Sequence, residues 1–291
     1  MSSTVYLIIA VLSSASMAIV LKIFRKQKGN RYGIILGNYL TCVLLSFLLM
    51  PEKQALLSPD AITLLCGIVA GLLFVAGLVS MQSSIAVNGA ILTSAFSKLG
   101  LIVPLLISTI FFGDRIRILQ IPGILLIFLS FWLILFDKES IKKQQAGIAS
   151  RRKPVLLLAV LLACGFADAM AKVFEHVGKR EEDQLYFLIL FAAAALITCI
   201  LMYMEYRKTG KKLSGKEFLA GILVGIPNYF SSALLLQALT GLPSFVVYPC
   251  FCAGTLLLVT VIGAAFFREQ PGKRAWAGLA VIVLALVLLN L

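Results

Sequence analysis

Two charged side chains stand inside long apolar stretches of this 291-residue chain, and their chemistry sets the first question. Lys98, in ILTSAFSKLGLIVPLL, lies about ten residues from the nearer end of its apolar run, roughly 15 Å of helix. A lysine snorkels over only part of that distance, and a charge in hydrocarbon costs roughly 2.5–3.5 kcal/mol on insertion scales. Lys98 must therefore face a polar cavity or a partner. Ser94 is one turn away on the same face, and Thr93 and Ser97 adjoin it. Such an ammonium would attract a carboxylate, a phosphate or another electron-rich group, or join a structural ion pair. Asp168, in CGFADAMAK, is the one acidic residue expected within hydrocarbon. Three roles are open to it: an intrahelical pair with Lys172 four residues on, a pair with Lys98, or a proton-coupling carboxyl.

Neutral polar groups gather near two prolines. In IPNYFSS, Pro227 interrupts the helical hydrogen-bond ladder, and Asn228, Tyr229, Ser231 and Ser232 follow it. Proline in a membrane helix is tolerated where the freed backbone finds another partner, often at a cavity. Tyr248-Pro249 repeats the pattern. Substrate contact and a plain kink are both open here. Asn38, Gln82 and Gln237 either face a solute or bond neighbouring helices. The pairs Gly67/Gly71 and Gly221/Gly225 read as close helix packing.

The elements that must position these groups are membrane helices. With 60% hydrophobic and 13% charged residues and a mean hydropathy of +1.01, the composition excludes an ordinary soluble domain. Ten apolar runs of about 20 residues are expected to cross the bilayer. They cover about Val5–Phe24, Tyr32–Met50, Ala61–Gln82, Asn88–Phe112, Ile118–Phe136, Pro154–Phe174, Tyr186–Tyr203, Glu217–Leu239, Ser244–Phe267 and Arg274–Leu291. The first run has no Lys or Arg ahead of it and matches the sixth, so it reads as a structural helix and not a signal peptide.

The chain also repeats itself. FFGDRIRILQIPGILLIF from Phe111 returns without a gap as FFREQPGKRAWAGLAVIV from Phe266. Gly67 and Gly71 match Gly221 and Gly225, Gln82 matches Gln237, Asp114 matches Glu269, Gly123 matches Gly278, and Lys22 in LKIF matches Lys172 in AKVF. The expected fold is an all-α integral membrane protein of ten transmembrane helices. Residues 1–137 form the first five-helix repeat, 138–153 a basic cytoplasmic linker and 154–291 the second repeat. Five spans is an odd number, so the second repeat enters the membrane inverted, which supplies the two related conformations that alternating access needs.

Lys and Arg concentrate in alternate loops: Arg25 to Arg31, Asp137 to Lys153, YRKTGKK, and REQPGKR after Phe267. That bias puts those loops in the cytoplasm and both termini outside, and it accounts for the net charge of +13 without a nucleic-acid partner. The six cysteines all fall in apolar runs without metal-ligand company and read as small packing residues. His176 falls at a span end. No phosphate-binding glycine loop, HExxH or spaced Cys/His set is present, so neither catalysis, cofactor nor metal is implied.

These residues resemble the ten-helix EamA-like branch of the drug/metabolite transporter superfamily, over nearly the whole chain. Pro104 in the fourth span, the turn Gly113-Asp114-Arg115 and Gly123 in the next helix match that family's pattern. The second half keeps Glu269 and Gly278 but has Arg268 and Val259 where the family tends to have glycine and proline. Ser14-Ala15 with Lys22, and Cys164-Gly165 with Lys172, stand where the family often carries Trp-Gly and a lysine. The resemblance implies a carrier of metabolites, amino acids or drugs with cytoplasmic termini, the opposite of the orientation that charge suggests.

The expectation is a secondary-active plasma-membrane transporter of a small anionic or zwitterionic organic solute. Lys98, Ser94, Asn228, Tyr229, Tyr248 and Asn38 would bind it, with Asp168 and Lys172 balancing charge or coupling protons. A multidrug exporter of cations would instead use Asp168 for recognition. A lipid-linked-substrate flippase or membrane enzyme would have only the cluster Glu181-Glu182-Asp183 to work with. One chain holds a complete pathway, so a monomer in the lipid bilayer suffices and a homodimer is the other arrangement.

Overall fold

The computed structural model describes residues 2–24, 32–51, 53–88, 90–114, 118, 120–135, 153–210, 212–267 and 272–289. Among them are eleven α-helices and no strand. They are α1 (Ser3–Ile23), α2 (Gly33–Leu48), α3 (Ala61–Asn88), α4 (Ala90–Leu99), α5 (Ile102–Phe111), α6 (Gln120–Leu135), α7 (Pro154–Val177), α8 (Asp183–Thr209), α9 (Gly215–Leu239), α10 (Ser244–Phe266) and α11 (Lys273–Leu289). Six of these helical segments are long and apolar enough to cross a membrane. The loop 25–31, the linker 138–152, Arg115, Arg268, Glu269 and the side chain of Lys22 lie outside the described residues.

The helices follow the apolar runs, with one informative difference. The fourth run, expected as one span, is two helices broken at Gly100-Leu101. Pro104 is the reason, since it has no N–H for the carbonyl of Gly100 four residues back, and its ring crowds that carbonyl. The ladder tightens to three-residue spacing instead: Leu101 N–H donates to Lys98 O at 3.2 Å and Val103 N–H to Gly100 O at 2.9 Å. Pro227 and Pro249, by contrast, sit inside continuous helices.

Helix ends carry the expected chemistry. At the start of α9 the Ser214 N–H donates to Glu217 Oε2 at 3.3 Å. After α8, Gly210 takes a left-handed φ of 69° with Arg207 and Lys208 in the preceding turn, where cations favour the helix dipole. Before α3, Lys179 Nζ donates to Asp60 Oδ1 at 2.8 Å, which holds the Asp60 carboxyl below and the Lys179 ammonium above their ordinary ranges. Both side chains are solvated, so the pair contributes little to stability.

The chain divides into two compact units. The first, Met1–Val75 with Val173–Thr240, packs α9 against α1 and α2, and α2 against α8. Glycines set its closest approaches: a Cβ on Gly221 would lie 2.5 Å from Ile34 O, and one on Gly71 2.5 Å from Leu190 O. An aromatic cluster fills its core, including the stacked rings of Phe174 and Tyr186, 4.1 Å apart. The second unit, Ala76–Lys172 with Gly241–Leu291, pairs α6 with α11 and sets α10 against α5, α6 and α11.

Candidate functional site

Five of the eight residues singled out in the sequence belong to the second unit. Lys98 occupies the last turn of α4, where the helix dipole favours a cation, and the break follows two residues later. At the break the backbone meets α7 directly. A Cβ on Gly165 would lie 2.6 Å from Gly100 O, and one on Gly100 would lie 3.1 Å from Gly165 N. Two glycines in contact let α4 and α7 approach where no side chain would fit. Asp168, one turn past Gly165, thereby comes within electrostatic reach of Lys98.

Lys98 and Asp168 both remain half-buried, and among the described residues no direct ion pair joins them. Two thiols share the neighbourhood. Cys164 lies one turn before Asp168 on α7 with Ser97 of α4 nearby, and Cys252 comes from α10; both feel the charges of Lys98 and Asp168. Tyr248, one turn before Cys252, is buried and donates its hydroxyl to the Asp168 carbonyl at 2.9 Å, tying α10 to α7. Ser94 is half-buried one turn before Lys98.

Lys172 reaches a different carboxylate: its Nζ lies 3.8 Å from Asp114 Oδ2. Asp114 also accepts the Ser108 hydroxyl and, at 3.2 Å, the N–H of Ser244 at the start of α10. Gly113, at a φ of 71°, turns the chain so that this carboxylate can meet all three. Partial burial pushes the Asp114 carboxyl up, but the Ser108 and Ser244 hydrogen bonds and the Lys172 charge outweigh it and hold it below the usual range.

The other three residues belong to the first unit. Asn228 Nδ2 donates to Asn38 Oδ1 at 3.1 Å, joining α9 to α2, while the Cys42 thiol donates to Gly225 O at 3.3 Å. Tyr229 is buried among aromatic rings and donates its hydroxyl to Gln184 Oε1. Gln237 Nε2 donates to Asp183 Oδ2 at 2.7 Å.

Sequence reasoning named Ser97 only as a neighbour of Lys98, read Cys164 and Cys252 as packing residues, and passed over the Gly100–Gly165 contact. Only the last had a signal, since a proline four residues after a glycine marks a carbonyl without a helical donor. Among the described residues no group of three or more His, Cys, Asp or Glu is placed to hold a metal ion.

Residues 153–291, which carry α7 to α11, match the EamA-like transporter family. The second half of the chain is an EamA-like domain. EamA-like domains belong to the drug/metabolite transporter superfamily, a group of transporters and not of enzymes, concerned in general with moving small solutes across membranes. The EamA-like domain and the apolar helices together make this a multi-pass membrane protein. An uncharacterized protein of Haemophilus influenzae is similar, 27% identical over 282 residues, covering 94% of this chain and 93% of its own. A protein crystal structure matches with a TM-score of 0.77 over 99% of this chain and 96% of that one. Its sequence identity is 14%, so the likeness is one of fold.

Proposed function

We propose that the protein is a secondary-active carrier of a small anionic or zwitterionic organic solute, working by alternating access, with Lys98 as the recognition charge. The observation that carries the reading is the discontinuity of α4 and α5 beside Lys98, in register with Asp168 on α7. Broken helices in carriers mark sites where backbone and side-chain polar groups meet a solute, and an ammonium that is not neutralised by direct contact retains its attraction for one. Asp168 balances that charge, receives the cationic end of a zwitterion, or carries a coupling proton. Ser94 and the Tyr248 ring lie on the helices that present these groups. Asn38, Asn228 and Tyr229 tie α2, α8 and α9 together.

The ten-span architecture, with two inverted five-helix repeats, is supported by repeat-equivalent packing in the first unit. Gly221 and Gly225 of α9 lie on Ile34 and Asn38 of α2, as Gly67 and Gly71 of α3 lie on Ile189 and Leu190 of α8. The alternation of basic loops supports a plasma-membrane protein with both termini outside. A monomer suffices for this mechanism.

The test is ligand-induced thermal stabilisation of the purified protein across anionic, zwitterionic and cationic metabolites, with Lys98→Met beside it. A charge-assisted hydrogen bond contributes about 1.5–3 kcal/mol, so the variant is expected to bind a stabilising acid roughly ten- to a hundredfold more weakly. Stabilisation by cations alone, kept in Lys98→Met and lost in Asp168→Asn, would replace this reading with cation export.

A further inference from the structure

The neighbourhood of Lys98 and Asp168 contains two side chains that nothing in the transport reading uses. Cys164 on α7 and Cys252 on α10 approach it from different helices. Each experiences both the Lys98 and the Asp168 charge. Their register is regular: Cys164 precedes Asp168 by one turn, and Cys252 follows Tyr248 by one turn, so Asp168 and Tyr248, themselves hydrogen-bonded, align the two thiol-bearing faces. Ser97, beside Lys98, stands near the Cys164 thiol and closes the constellation from α4. Lys98, Asp168, Ser97 and Cys164 all keep part of their surface uncovered, while Cys252 is 8% exposed. Charged side chains at mid-span face a water-filled cavity or pair with one another; Lys98 and Asp168 make no direct pair, and a cavity that hydrates them would extend to Cys164, one turn from Asp168.

We infer that Cys164 and Cys252 line the Lys98–Asp168 site and make it a modification site for small, soft electrophiles, with the two ionic side chains setting the charge of the reagent it admits. This rests on the proposed function only in taking the site to be wet. The chemistry is thiol exchange with an alkyl methanethiosulfonate. The cysteine thiolate attacks the sulfenyl sulfur, a new S–S bond forms, and the S–SO2 bond breaks. Methanesulfinate leaves with the electron pair, and the thiol proton goes to solvent. Cys164, the less buried, is the faster of the two.

The charge of the reagent reports the local potential without knowledge of the natural solute. A methanethiosulfonate bearing a sulfonate and one bearing a trimethylammonium are applied to the whole protein in micelles, and each cysteine is read by peptide mass spectrometry. The ratio of the two rates at one cysteine cancels its thiolate fraction and leaves the electrostatic preference. Removing one charge at a separation of several ångströms in a partly hydrated site changes that ratio roughly tenfold. Lys98→Met is expected to move the anionic-to-cationic ratio at Cys164 down by about that factor, and Asp168→Asn to move it up.

Two results would overturn the inference: no modification of Cys164 or Cys252 until the protein is denatured in SDS, or a ratio at Cys164 that neither variant moves. Should Lys98→Met fail to fold, the opposite shift in Asp168→Asn carries the same decision. An acid that stabilises the protein should also slow Cys164. If the acid fails to slow it while the ratio shifts persist, the thiol site stands and solute binding at Lys98 falls.

Discussion

Asp114 shows how one side chain in a turn can serve three helices. It follows α5, caps the first turn of α10 through the Ser244 N–H and meets Lys172 of α7. The Lys172 side chain is 8% exposed, so the Asp114 carboxylate offsets part of the cost of burying its ammonium. Replacing Asp114 by Asn should lower stability at neutral pH by about 1–3 kcal/mol, read as a drop in melting temperature. The pH dependence follows from the sign of the shift. The folded carboxyl ionises below its unfolded value of about 3.9, so its stabilisation is complete above that value. The contribution is lost as pH falls through the folded value, and the wild-type advantage over Asp114→Asn should shrink across that acid range. A constant advantage down to the lowest pH the fold survives would show that the charge contributes nothing. Lys98 was legible as a charge out of place because its surroundings in the sequence are apolar. Asp114 was not, because an acidic residue in a polar turn looks ordinary, and its Ser244 partner lies 130 residues away.

At the scale of elements, glycine decides how near two helices come. Gly221 lies against α2, with its missing Cβ 2.5 Å from Ile34 O, and Gly71 lies in the same relation to α8. Carbonyl oxygens on a helix cannot yield, so Gly221→Ala or Gly71→Ala must push the helices apart at a cost of about 1–3 kcal/mol. Gly215, at the first turn of α9, has nothing within 4 Å of its Cβ position. Gly215→Ala should therefore be neutral or stabilising, by up to about 1 kcal/mol from helix propensity. Melting the three variants side by side checks the argument, and equal melting temperatures would refute it. The GxxxG spacing announced tight packing, and the structure supplies the partner helix in each case. The broken fourth run was equally local in origin. Pro104 removes the i+4 donor for Gly100 O and leaves it to the Val103 N–H, a consequence readable from the sequence once the four-residue reach of the helical bond is applied.

At the scale of the whole molecule, charge argues for an orientation. The loops at 25–31, 137–153, 206–212 and after Phe267 hold most of the basic residues, and the positive-inside bias predicts a cytoplasmic location for them. With that orientation an epitope placed before Ser2 is reached by antibody on intact cells, whereas one inserted in the 138–152 linker is reached only after permeabilisation. The reverse pattern would show that the basic loops do not control insertion.

The sequence alone determined that this chain lives in a membrane, that its helices follow the apolar runs, and that Lys98 and Asp168 need an explanation. Each of these follows from composition or from forces reaching no more than one helical turn: burial in hydrocarbon, the i to i+4 hydrogen bond and the steric demands of proline. Only the tertiary structure decided which groups meet. The Gly100–Gly165 contact brings Lys98 toward Asp168 and two thiols, and Gly113 aims Asp114 at Ser244 and Lys172. Those choices depend on backbone packing between segments far apart in the chain, for which an apolar sequence offers many near-equivalent pairings. The polar and glycine contacts that select one of them gain their energy only when both partners are already in place.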